Sequence, residues 1–222
     1  MMQEFKIKIE ELNQYLDKYY NSLPETKDNR KWIRDGIVNI EEYFNSSKKV
    51  MWVLKEPRDG ENSTGGGWSI VDSIREIRAK GGSSDSQQTF YPIVATTYAL
   101  INNIDSLNQE KYNEYRQKSS VLNNIAYVNI QKFPALANSK DREIVEAFEQ
   151  NSEALLKQIE VINPDVIIFT AGGNVFNKFL DRVRSNAILK DKCMVNTFHP
   201  AHRGNKVDYI NGILNKVFHS CD

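Results

Sequence analysis

Cysteine is almost missing from this sequence: Cys193 and Cys221 are the only two in 222 residues. Two are too few for a disulfide scaffold, a four-cysteine zinc site or a cysteine-held iron–sulfur cluster. Long hydrophobic runs are missing as well, and none approaches the roughly 18 residues of a membrane-spanning helix. Neither sign of charge dominates, with Lys plus Arg and Asp plus Glu both at 29. That balance excludes attachment to nucleic acid by bulk positive charge, while leaving room for a local basic patch. The opening "MMQEFKIKIEEL" is charged and amphipathic, with no basic start followed by an apolar block, so no secretory leader is expected. What is present is enough for a core: 40% hydrophobic and 10% aromatic residues. The expectation is a cytoplasmic monomer in a reducing compartment, away from membranes. It forms a single domain over 1–222 with an N-terminal helical portion, 1–47.

Four short apolar segments rich in β-branched and aromatic residues read as strands: "KVMWVLK" (49–55), "IAYVNIQ" (125–131), "DVIIFTA" (165–171) and "KCMVNTF" (192–198). Their near-continuous hydrophobicity suits strands covered on both faces, as in a parallel sheet. Helical spacing appears in 69–80, with Ile70, Ile74 and Ile77 on one face. It recurs in 141–162, through Ile144, Phe148, Leu155 and Ile159. Two more helices are expected in 3–20 and 28–46. The charge-rich 107–120 reads as a solvated helix, and "KGGSSDSQQT" (80–89) as a surface loop. The sum is an α/β fold, a three-layer α/β/α sandwich around a four-stranded, mainly parallel sheet.

Ligands of open α/β sheets collect beyond the carboxyl ends of the strands. There the sequence delivers Lys55-Glu56-Pro57-Arg58-Asp59, then Asn129, Gln131 and Lys132, then Ala171-Gly172-Gly173-Asn174, then Phe198-His199-Pro200-Ala201-His202-Arg203. "AGGNVF" has the spacing of neither a Walker loop nor a dinucleotide fingerprint, so its glycines read as tight strand–helix packing.

Taken in order, these exits resemble the motifs of the uracil-DNA glycosylase superfamily. "VLKEPRDG" resembles its first motif, a strand running into a turn with a proline. "IAYVNIQKFP" is similar to its second strand, which ends in a base-reading asparagine. "NPDVIIFTAGGNVFNKFL" resembles its third strand and helix, and "NTFHPAHRG" its His-Pro motif. The matches span roughly residues 49 to 218.

The resemblance implies a base extruded from the stack into a pocket. Glu56 and His199 are then the catalytic pair. A carboxylate stabilises the cationic sugar and positions water, while a histidine donates to the departing base. By the same resemblance Trp68 is the stacking platform, Asn129 pairs with the base edge, and Lys55 and Arg58 flank the substrate. His202, Arg203 and Lys206 form the loop that meets DNA. Glycines 65–67 would let their loop approach a ligand closely. No metal or organic cofactor is implied, and the partner is single- or double-stranded DNA with a damaged base. Departures exist: Leu54 stands where the family has glycine, and Arg58 stands where one branch has a methyl-excluding tyrosine.

Each residue also has a plain alternative. Glu56 can be an ion-paired turn residue held by Lys55 or Arg58, and Asn129 a strand-end cap. Trp68 can be ordinary core, and His199 can shape a turn. The whole can be a non-catalytic glycosylase-like module that binds nucleic acid or a nucleotide, or a small-molecule nucleoside or nucleotide hydrolase.

Overall fold

The computed structural model describes residues 1–23, 30–58, 65–80, 84–135, 140–184, 186–219 and 221. In chain order the elements are α1 (Met2–Ser22), β1 (Gly36–Ile37), α2 (Ile40–Phe44), β2 (Val50–Leu54), α3 (Ile70–Lys80), α4 (Ser84–Ile101) and α5 (Gln109–Tyr115). A short 3-10 helix, Ser119–Asn124, leads to β3 (Ile125–Asn129), α6 (Asp141–Ile162), β4 (Val166–Phe169), α7 (Gly173–Arg184), β5 (Cys193–Asn196) and α8 (Lys206–His219).

The strands form one mixed sheet in the order β1-β3-β2-β4-β5. β2 is central, parallel to β3 and β4, with Trp52 opposite Tyr127 and Ile168; β5 continues the parallel set, and β1 closes the other edge antiparallel to β3. Every residue of β2, β3 and β4 is buried, because helices cover both faces. Trp52, Leu54, Tyr127, Ile168 and Val195 face one core, shared with α3, α4, α5 and α8. Met51, Val53, Val128, Ile167 and Phe169 face the other, shared with α1, α6 and α7. The strict alternation of these sets is the two-residue period of a strand.

The sheet has five strands rather than the expected four, and it is not wholly parallel. The extra strand lies in the segment expected to be helical over 28–46, where among the described residues only Ile40–Phe44 forms a helix. Gly36 sits at φ +141, which breaks any helix there, and Asn39 caps α2 by accepting from the Glu41 and Glu42 amides. The residues before it are extended because their backbone groups bond across the fold: Ile33 N donates to Lys132 O at 2.8 Å and Arg34 N to Trp68 O at 3.1 Å. The expected loop at 80–89 is also shorter. Its residues 81–83 lie outside the described ones, and α4 has begun by Ser84. The charged helix expected at 107–120 is α5 alone, started by Asn108, whose side chain accepts from Lys111 N.

A disulfide joins Cys193 in β5 to Cys221 beyond α8, with Cα atoms 5.1 Å apart. It is one staple and not a scaffold, and it departs from the free thiols implied by a reducing compartment. Among the described residues no helix is long and apolar enough to cross a membrane.

Candidate functional site

Beyond the carboxyl ends of β2 and β3 lies a cleft of about 1010 Å3. Its floor is apolar, made by Trp68, Ile70, Ile74, Ile77, Phe90 and Tyr127; its rim carries Lys55, Glu56, Arg58, His199, His202 and Arg203. Seven of the nine residues singled out in the sequence therefore line one cleft, although they span residues 55 to 203. Asn129 and Lys206 do not line it.

Trp68 is half-buried and packs on the core beside α3. It is placed by a loop whose glycines all have positive φ: +73 at Gly65, +90 at Gly66 and +81 at Gly67. The close approach that needs them is to the chain itself. A Cβ on Gly66 would meet Pro134 at 3.2 Å and collide with the Lys31 carbonyl, and Lys31 N donates to Gly65 O at 2.7 Å. At Gly66 and Gly67 the neighbour that requires glycine is Lys31.

Glu56 is half-buried on the cleft wall, immediately after β2. The Lys55 ammonium reaches Asp141 at the start of α6, at 2.8 Å. Arg58 is exposed, and its backbone forms an isolated bridge with Ala135; Asp59 and the rest of that turn lie outside the described residues.

His199 carries the clearest electrostatic signature. Burial lowers its pKa to about 4, and the neighbouring cations Arg58, Lys55, Lys206 and His202 add to the effect. The imidazole is therefore neutral near pH 7. Its Nδ1 accepts from the Ala201 amide at 3.1 Å, which leaves the proton on Nε2. A neutral ring with a fixed Nε2–H can donate to an oxygen on which charge develops.

The following loop is tied to itself. His202 Nδ1 accepts from Gly204 N at 2.9 Å, Tyr209 Oη donates to Phe198 O at 3.0 Å, and Lys206 donates to the carbonyls of Pro200 and His202. Lys206 is thus turned into its own loop and away from the cleft. Arg203 stays exposed at the rim. Phe198, 76% exposed, was given no role at its strand exit in the sequence and stands beside His199 with its ring 5.9 Å from that of His202.

Asn129 ends β3 on the sheet face that Tyr127 also occupies. It is 1% exposed, and its side-chain oxygen and nitrogen have no hydrogen-bond partner among the described residues. Its backbone N–H donates to Asp35 Oδ2 at 2.7 Å. Behind it Lys132, 0% exposed, donates to both Asp35 oxygens at 2.7 Å and to Gln158 Oε1 at 2.9 Å. Burial draws the Lys132 ammonium below its ordinary pKa, and Asp35 opposes that shift. The sequence carries no sign of this pair, since a lysine after a strand ordinarily reads as exposed. Tyr127 and Phe90, rings 6.0 Å apart in the lining of the cleft, were not singled out in the sequence.

Among the described residues no group of three or more His, Cys, Asp or Glu side chains is placed to hold a metal ion. No protein-family model matches the chain, and no curated protein matches it either.

Proposed function

We propose that the cleft is the site of a DNA base-excision glycosylase, which hydrolyses the N-glycosidic bond of uracil or another deaminated base. The observation that carries this reading is the pairing of a neutral, Nε2-protonated His199 with Glu56 on the walls of one aromatic-floored cleft. The departing base develops negative charge on its carbonyl, and a neutral imidazole stabilises that charge by donating a hydrogen bond from Nε2–H. The sugar develops positive charge, which a carboxylate at Glu56 offsets while it orients the attacking water. Trp68 supplies the face on which the extruded base stacks, and Arg58 and Arg203 on the rim suit flanking phosphates. The resemblance of four strand exits to the uracil-DNA glycosylase superfamily supports the same assignment.

A second reading has its own observation. The Asn129 amide is sealed beneath the cleft surface and Lys206 is bound into its loop, which favours a module that binds nucleic acid without cleaving it. Labelled single- and double-stranded oligonucleotides bearing uracil, hypoxanthine or xanthine, treated with alkali to reveal abasic sites, decide between the two. Excision by the wild type that disappears in Glu56→Gln and His199→Ala supports the glycosylase. Binding in shift assays without excision from any substrate supports the module.

A further inference from the structure

Among the described residues Phe198 is the one phenylalanine, tyrosine or tryptophan that is exposed; every other is buried or half-buried. A lone apolar side chain at a surface is ordinary, so its exposure alone means little. What sets Phe198 apart is how firmly it is held out. Thr197 N, just before it, donates to Phe169 O at 2.9 Å and ties the loop entry to β4. Its own carbonyl accepts from Tyr209 Oη of α8. The His202 ring lies 5.9 Å from the phenyl ring and 4.7 Å from the Tyr209 ring, so the three form a ladder. His202 is fixed in turn, since its Nδ1 accepts from Gly204 N and its carbonyl from Lys206. A rigid aromatic ring offers contact area at little cost in entropy.

The surroundings define what such a ring can meet. His199, next in the chain, lines the cleft with His202 and Arg203. At about 1010 Å3 the cleft is at the top of the roughly 300–1,000 Å3 range for sites that enclose a ligand, which leaves room for more than one base. Its capacity for phosphates is small by comparison. Arg58 and Arg203 are exposed on the rim, while the Lys55 ammonium goes to Asp141 and Lys206 to loop carbonyls. That is fewer cations than the roughly 6–10 phosphate contacts of a strong duplex binder call for. Single strands are held differently, by bases stacked on aromatic rings with a modest number of cations. In a duplex, neighbouring bases cover each other's faces, and a ring outside the cleft finds none to stack on.

We infer that Phe198 is a stacking platform for an unpaired base next to the one in the cleft, so that the site takes single-stranded DNA in preference to duplex. Arg203, exposed on the same loop, suits the phosphate that links the two bases. The inference rests on the nucleic-acid reading of the cleft and adds the form of strand that it accepts.

The test measures binding by fluorescence anisotropy at one fixed salt concentration, with an undamaged labelled DNA strand of roughly twelve nucleotides and with its duplex. Phe198→Leu keeps apolar bulk and loses the ring, and Phe198→Trp keeps a ring. The wild type is expected to hold the single strand more tightly than the duplex. Phe198→Leu should weaken single-strand binding roughly tenfold and leave duplex binding unchanged. Phe198→Trp should bind the single strand as the wild type does, with quenching of the added indole. Three results overturn the inference: a wild type that prefers duplex, a Phe198→Leu variant that binds the single strand like the wild type, or equal losses on both forms. The last would mark Phe198 as a wedge or a prop for its loop. Excision is scored separately on uracil-bearing strands. Phe198-dependent single-strand binding without excision supports the inference while the glycosylase reading fails. Excision that is indifferent to Phe198 overturns the inference and leaves that reading standing. Neither binding nor excision overturns both.

Discussion

The backbone of Gly66 passes so close to Lys31 that a Cβ would stand 1.9 Å from the Lys31 carbonyl oxygen. That contact locks the loop before Trp68 to the strap before β1. Gly66→Ala is therefore expected to destabilise the protein by about 1–3 kcal/mol and to shift the Trp68 environment. Gly65 also has positive φ, but nothing lies within 4 Å of its missing Cβ. Gly65→Ala should cost only about 1 kcal/mol. Thermal melts with tryptophan fluorescence compare the two, and equal losses would show that the Lys31 contact is not what matters.

Lys132→Met alone is expected to lose about 3–5 kcal/mol, because it leaves the Asp35 carboxylate buried and unpaired. Lys178 also pairs with an acid, Glu149, but both side chains lie at the surface in contact with water, and Lys178→Met should leave the melting temperature almost unchanged. Urea titrations of the two variants measure the difference. A small loss at Lys132 would mean that the interior pair contributes little.

His199 has a distinct pH signature. Its folded pKa, about 4, lies below the ordinary value of 6.5, so the unfolded chain takes up the proton first as pH falls. Stability is unaffected above about pH 6.5, declines between 6.5 and 4, and levels off below that. The loss is on the order of 2 kcal/mol once partial exposure is allowed for. The His199→Gln variant should show a shallower decline across that window in melts at matched ionic strength. On the proposed glycosylase reading, excision should show no inflection from His199 near pH 6.5.

The Cys193–Cys221 bridge closes a separation of 28 residues, for which chain-entropy arguments give about 3–4 kcal/mol. Non-reducing mass spectrometry should find the bonded form, and reduction or Cys221→Ser should lower the melting temperature. Two titratable thiols in the native protein under oxidising conditions would contradict the bridge.

Much of the sheet was legible from residue type alone. β2 and β4 are unbroken apolar runs, and β3 is one up to Asn129, because both of their faces are covered, and α6 spans 141–162 as its spacing indicates. The strand exits were legible too, since Lys55, Glu56 and His199 are polar groups that follow apolar strands abruptly.

Three features were hidden, each for a physical reason. The strap through Ile33 and Arg34 forms no regular local pattern, because its hydrogen bonds go to Lys132 and Trp68, far along the chain. Lys132 is chemically a surface residue, and only a carboxylate brought in from residue 35 makes its burial tolerable. The glycines of 65–67 show that a tight approach is needed but not to what, and here the neighbour is Lys31.

Composition and periodicity, which are local properties, were enough to specify the layers and the end of the sheet where polar groups gather. Which of those groups share a cleft, and which are sealed behind it, depends on partners distant in sequence. Those pairings come into being when the sheet assembles, and no local pattern encodes them.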